Sequence, residues 1–109
     1  MAFNQEIDNR IKAIVEQWPQ TSAKKMFGGV AYLWRGNMVC GVHKDFLVLR
    51  LGPEGARAAL QEPYVKPFDI TGRAMKGWVM VSREGFGDQA SLSAWLEKAR
   101  VFVKTLPPK

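Results

Sequence analysis

Two turn signals near the middle of the chain constrain its fold more than any other feature. Arg35-Gly36-Asn37 and His43-Lys44-Asp45 separate three short apolar runs, Lys25 to Trp34, Met38 to His43 and Phe46 to Leu51. Runs of strand length joined by tight turns pair with their neighbours, so the segment predicts an antiparallel meander. Gly28 and Gly29 interrupt the first run. Glycines inside a strand predict a bulge or a close backbone approach.

Helical periodicity flanks this meander. Ile7, Ile11, Ile14, Val15 and Trp18 form one apolar stripe, with Asn4 placed to cap its start and Pro19 to stop it. After the third run, Gly52-Pro53-Glu54 opens a short helix, with Pro53 suited to its first position and Ala56, Ala59 and Leu60 on its apolar face. Pro63 and Pro67 bracket a less regular stretch. Phe68-Asp69-Ile70 is expected as a short strand, residues 71–77 as a loop, and Trp78 to Ser82 as a strand. Asp88 caps a last helix carrying Leu92, Trp95, Leu96, Ala99 and Phe102 at helical spacing. The predicted class is α+β: an antiparallel sheet of four to five strands with N-terminal, short middle and C-terminal helices packed on it as a two-layer sandwich.

The chain has 109 residues, which fits one domain spanning 1–109. No apolar run approaches the ~18 residues of a membrane span, and Met1-Ala2-Phe3-Asn4 does not begin a secretory signal. With Cys40 as the single cysteine there is no internal disulfide, and a cytoplasmic location is expected. The net charge is +6, and residues 24–83 hold the excess with ten basic and four acidic side chains. Such a basic middle suits an acidic protein surface or nucleic acid, or is simply a positively biased soluble surface.

Catalytic constellations are not apparent. Cys40 and His43 lie three apart on a strand and so point to opposite faces, which prevents a thiolate–imidazole pair. Cys40 shares its expected face with Met38 and Val42 and reads as a small buried hydrophobe. His43 suits a turn or capping role, with ligand binding the other reading. Gly36–Gly41 and Gly72–Gly77 have the glycine spacing of a phosphate-binding loop, but Val42-His43 and Trp78-Val79 follow where Lys and Ser or Thr are needed. Asp69 reads as serving the Thr71-Gly72-Arg73 turn or pairing with Arg73, with a general-base role the other reading. One Cys and one His cannot supply a thiolate–imidazole metal site, and no cofactor is expected. Lys24, Lys25, Arg50, Arg73 and Lys76 could line one face, beside Phe27, Tyr32, Trp34 or Trp78 as stacking aromatics. The alternation of those aromatics within strands reads more readily as core.

Three glycine-anchored signatures carry a family resemblance. Lys25-Met26-Phe27-Gly28-Gly29, Gly36-Asn37-Met38 with Cys40-Gly41-Val42, and Gly72 followed by Met75-Lys76-Gly77-Trp78-Val79 occur in order, together with Arg50, Gly52-Pro53 and the Leu106-Pro107-Pro108-Lys109 ending. In these the chain resembles the N-terminal domain of the TfoX/Sxy family of bacterial competence regulators. The resemblance implies an α+β sandwich without catalytic residues. It makes Phe27, Gly28, Gly29, Gly36, Asn37, Gly41, Gly72, Gly77 and Trp78 the structural motif. Longer relatives carry a C-terminal helical domain and act in DNA-uptake regulation, with the cyclic-AMP receptor protein as transcriptional partner. With the sequence ending at Lys109, a stand-alone N-terminal domain is expected. The expected function is therefore a non-enzymatic cytosolic interaction module and transcriptional accessory, with a protein partner, as monomer or homodimer. A nucleic-acid-binding accessory protein and a small-molecule-binding domain are the alternatives.

Overall fold

A computed structural model describes residues 3–26, 28–69 and 76–107, with only the backbone of Met26. Helix α1 runs over Gln5–Val15. Its Asn4 side chain accepts from the amides of Glu6 and Ile7 at 2.9 and 3.2 Å, satisfying two donors that the first helical turn leaves without partners. The helix ends three residues before Trp18. Pro19 disfavours helical backbone ahead of it, and the amides of Gln17 and Trp18 make shorter-range bonds to Ile14 and Val15 instead.

Six antiparallel strands follow: β1 Thr21–Met26, β2 Gly29–Trp34, β3 Asn37–His43, β4 Phe46–Arg50, β5 Val65–Pro67 and β6 Trp78–Val81. Their order in the sheet is β1-β2-β3-β4-β6-β5. Helix α2, Gly52–Ala59, leaves β4; a 3-10 turn, Arg83–Phe86, leads into α3, Gln89–Val103, capped by Asp88. The α+β class and the three helix positions agree with the sequence reading, and the sheet is wider by two strands than the meander and Trp78 strand alone.

The differences have identifiable causes. The run from Lys25 to Trp34 is not one strand: Gly28, at φ +71°, lies in a reversal, and Met26 pairs with Gly29 across it. A positive φ is costly for any residue with a Cβ, so the glycine pair marks a hairpin rather than a bulge within one strand. The register break instead falls between Tyr32 and Leu33, which face Cys40 and Met38. Val39 is the extra residue, and it shifts the side-chain alternation. Met38 consequently joins Ala31, Val48 and Phe68, while Cys40 and Val42 join the main core. The expectation that Met38 shares a face with Cys40 is thus overturned. The fifth strand is Val65–Pro67, with Phe68 and Asp69 beyond its end and Ile70 outside the described residues.

All three helices pack on one face of the sheet. Ile7, Ile11 and Val15 of α1, Ala56 and Ala59 of α2, and Leu92, Leu96, Ala99 and Val103 of α3 meet Val30, Val42, Leu47, Leu49, Val79 and Val81. Arg10 fastens the first helix to the last: its guanidinium donates to Phe86 O at 2.7 Å and Gln89 Oε1 at 3.1 Å. Inside the core, the Tyr32 hydroxyl donates to Asp8 Oδ1 at 2.5 Å, which gives this buried carboxylate a partner.

Candidate functional site

The meeting of β4, α2 and β6 brings together residues far apart in sequence. Arg50 pairs with Trp78 in the β4–β6 register. Its guanidinium carbon lies 5.3 Å from the Trp78 ring centroid, within cation–π range. Beside this pair, the amides of Leu51 and Gly52 both donate to Gly77 O, at 2.9 and 3.1 Å. Gly52 (φ +82°) and Gly77 (φ +88°) take left-handed backbone, and a Cβ on Gly52 would stand 2.5 Å from Phe102 Cε1. A Cβ on Gly77 would press to 3.3 Å from the Gly52 carbonyl carbon. The two glycines therefore let the chain turn into α2 while the start of β6 closes directly against it.

Two shallow concavities open on this corner. One, of ≈ 200 Å³, is lined by Arg50, Gly52, Pro53, Lys76, Gly77, Trp78 and Phe102. The other, of ≈ 380 Å³, shares Pro53, Lys76, Gly77 and Trp78 and extends over Ala56, Arg57, Leu60 and Pro67. Among the described residues the lining holds three cations, Arg50, Arg57 and Lys76, and no carboxylate. Its apolar part is open to solvent: Trp78 is half-buried, and Leu60 is 39% exposed. A ledge of Trp, Leu and Pro bordered by cations matches a segment that offers both apolar and acidic groups.

The sequence-predicted residues separate in space. Arg50 and Lys76 share the corner. Lys24 and Lys25 are exposed on β1, the far edge strand, three strand spacings or roughly 14 Å from β4. Arg73, Gly72 and Phe27 lie outside the described residues, as does the Thr71-Gly72-Arg73 turn suggested for Asp69. Gly29 begins β2, and Gly36 forms the β2–β3 reversal with Arg35, at φ +86° and +51°. Asn37 is buried, and its Nδ2 donates to Pro107 O at 2.8 Å, so this signature residue fastens the segment after α3 to the hairpin. Gly41 lies where β2 and β3 approach closely, with a built Cβ 3.2 Å from Ala31 Cα. Tyr32 and Trp34 are core residues.

Sequence reasoning passed over Arg57, Leu60 and Pro53 as a surface. The available signal was their helical spacing: Pro53 and Arg57 lie four apart and Leu60 three further on.

Cys40 is fully buried among apolar side chains, and that burial pushes its thiol up from the usual range, keeping it protonated. Val42 follows it into the core, whereas the His43 ring meets Phe68 edge-on with centroids 6.5 Å apart. Phe68 belongs to the cluster on the other sheet face, so thiol and imidazole are separated by the sheet. Among the described residues no three of His, Cys, Asp and Glu gather as a metal site would require, and no helix is long and apolar enough to cross a membrane.

The family model described as the TfoX N-terminal domain matches residues 13–102. This chain belongs to the TfoX N-terminal domain family. No curated protein and no solved structure matches it. The matched span runs from within α1 to the last turn of α3, so all six strands of the TfoX N-terminal domain and every residue lining the corner fall inside it.

Proposed function

We propose that this TfoX N-terminal domain is a non-enzymatic interaction module of the cytoplasm, serving transcriptional regulation by docking an acidic segment of a protein partner. The observation that carries this reading is the corner itself: Arg50, Arg57 and Lys76 surround a ledge of exposed Pro53 and Leu60 and half-buried Trp78, with no carboxylate in the lining among the described residues. Apolar contact would supply the affinity, and the cations would select the partner and speed encounter.

The test replaces Arg57 and Lys76 together by Glu. Both side chains are exposed, so the double variant is expected to fold normally, with a stability change of about 0.5 kcal/mol or less. Wild type and variant are used to capture partners from native cytosol, with and without nuclease, across a salt series. A protein partner that survives nuclease, is lost with the variant and weakens as salt rises supports the proposal, because screening acts on exposed charge. A partner removed by nuclease, or one held equally by the variant at every ionic strength, refutes it.

A further inference from the structure

The sheet has two edges of unequal character. At one end, β5 is three residues long and includes Pro67, which has no amide to donate. At the other, β1 offers six residues, Thr21–Met26, and among the described residues pairs only with β2. Alternate N–H and C=O groups of such an edge point away from the sheet. Ser22, Ala23, Lys24 and Lys25 along it are all exposed.

A groove of ≈ 340 Å³ runs beside this edge, between β1 and the end of α1. Its apolar lining is Val15, Trp18, Ala23 and Tyr32; Lys12 and Glu16 border it. Ala23 pairs with Tyr32, which places its small methyl on the helix-covered face and leaves the groove open. Lys24 pairs with Ala31 and so points to the other face, while Lys25 returns to the helix side.

We infer that β1 accepts an extended segment of another protein as a seventh strand, and that this segment is acidic opposite Lys24 and Lys25 and apolar opposite Ala23. Directly opposed residues on neighbouring strands share a face. A partner side chain opposite Ala23 therefore enters the groove toward Trp18 and Tyr32, and carboxylates opposite the two lysines meet one ammonium on each face. Main-chain bonds supply affinity in this mode, and the alternating side chains supply choice. A second copy of the chain is the poorer occupant: pairing two β1 strands places four lysines on one ribbon, and like charges on neighbouring strands repel. This surface is distinct from the β4–α2–β6 corner and engages a partner through backbone rather than through a ledge of side chains.

The experiment uses the full chain labelled with nitrogen-15. The probes are capped octapeptides with two consecutive glutamates beside one Val, Ile or Phe, in both chain orders and otherwise of Thr and Ser, and the same peptides N-methylated at every second amide in either phase. The expected result is amide shifts and slowed hydrogen exchange along residues 21–25, with binding weakened by at least about tenfold in one N-methylation phase and in the Lys24→Glu/Lys25→Glu variant. The Arg57→Glu/Lys76→Glu variant is expected to bind these peptides unchanged. The inference is overturned if no peptide perturbs β1 at millimolar concentration, if both N-methylation phases bind alike, or if the Lys24/Lys25 variant keeps full affinity. Loss of binding only in the Arg57/Lys76 variant overturns it while leaving the corner reading intact. Concentration-dependent pairing of the free chain through β1 also overturns it, since the occupant would then be a second copy.

Discussion

Replacing Gly41 by Ala is expected to weaken the fold sharply, although alanine is a small residue and the position is a strand. A methyl built there stands against the Val30 carbonyl oxygen, far inside the 3.4 Å at which ordinary contact begins, and 3.2 Å from both Ala31 Cα and Met38 Cε. The Met38 terminus can swing aside, but the backbone contacts cannot. Gly41 is paired with Ala31 on one side and Val48 on the other, so relief requires β3 to shift against two ladders at once. Overpacking of this kind costs about 1–3 kcal/mol, and the rigidity of both neighbours places Gly41 at the upper end. Alanine recovers about 0.5–1 kcal/mol by restricting the unfolded chain. The net loss is about 2 kcal/mol, which for a domain near 100 residues lowers Tm by roughly 8–10 °C. Gly87→Ala is the matched control: its backbone is in the right-handed helical region at φ −59°, and a Cβ there meets nothing within 4 Å. It should leave stability unchanged or raise it by up to about 1 kcal/mol. Thermal unfolding followed by far-ultraviolet circular dichroism, with urea titrations to compare m-values, measures both. If the Gly41 variant melts within about 2 °C of the parent, the strands yield more readily than their pairing implies and the reasoning is wrong.

Other perturbations probe different parts of the molecule. Tyr32→Phe removes the hydroxyl that donates to buried Asp8, leaving that carboxylate the weaker 3.4 Å contact from Gln5; a loss of about 1.5–3 kcal/mol in urea unfolding is expected, and an unchanged midpoint would refute the partnership. Cys40→Ser should cost about 1–3 kcal/mol by placing a hydroxyl in an apolar site, while Cys40 in the parent should resist alkylation; rapid labelling of the folded protein would contradict its burial. In the acid range, the amide and hydroxyl of Ser91 hold the Asp88 carboxyl below its ordinary pKa. A carboxyl depressed in the folded state stabilises above its unfolded pKa and loses that contribution as pH falls through the folded value. Tm should therefore decline as pH drops below the usual carboxylate range, and Asp88→Asn, which can still cap, should decline less steeply over that window.

The legibility of this fold varied with how much of each element's logic is local. Arg35-Gly36, Lys44-Asp45, Pro53 and Asp88 act within a few residues of themselves, so the reversals and helix starts could be read directly. Strand β1 could not: a strand paired on one side and exposed on both faces needs no apolar alternation, and Thr21–Met26 has none. The shift at Val39 was hidden for the opposite reason. Residues 37–42 are buried on both faces, so an inserted residue breaks no visible pattern. The corner was half legible. Arg50 and Lys76 were identifiable as cations, and Trp78 as an anchor, but the contact of Gly52 with Gly77 exists only because β6 lies next to β4. Local sequence does not encode that adjacency.

The strand order has a mechanical consequence for that corner. Strands β1 to β4 succeed one another through two-residue reversals, whereas β6 joins β4 with twenty-seven residues between Arg50 and Trp78. The entropic burden of closing the sheet over a long loop thus falls on a single seam. Along it, β6 and β5 could part from an otherwise intact meander, as cooperative units do in partial opening. The proposed docking ledge straddles this seam, with Arg50 and Pro53 on one lip and Lys76 and Trp78 on the other. A partner seated there would act as a latch. At a hundred times its Kd it would add about 2.7 kcal/mol against any opening that parts the lips. Occupancy of the ledge would then be legible beyond the contact itself, as slower amide exchange at Val65 and Lys66, the two residues of β5 that do not line the corner.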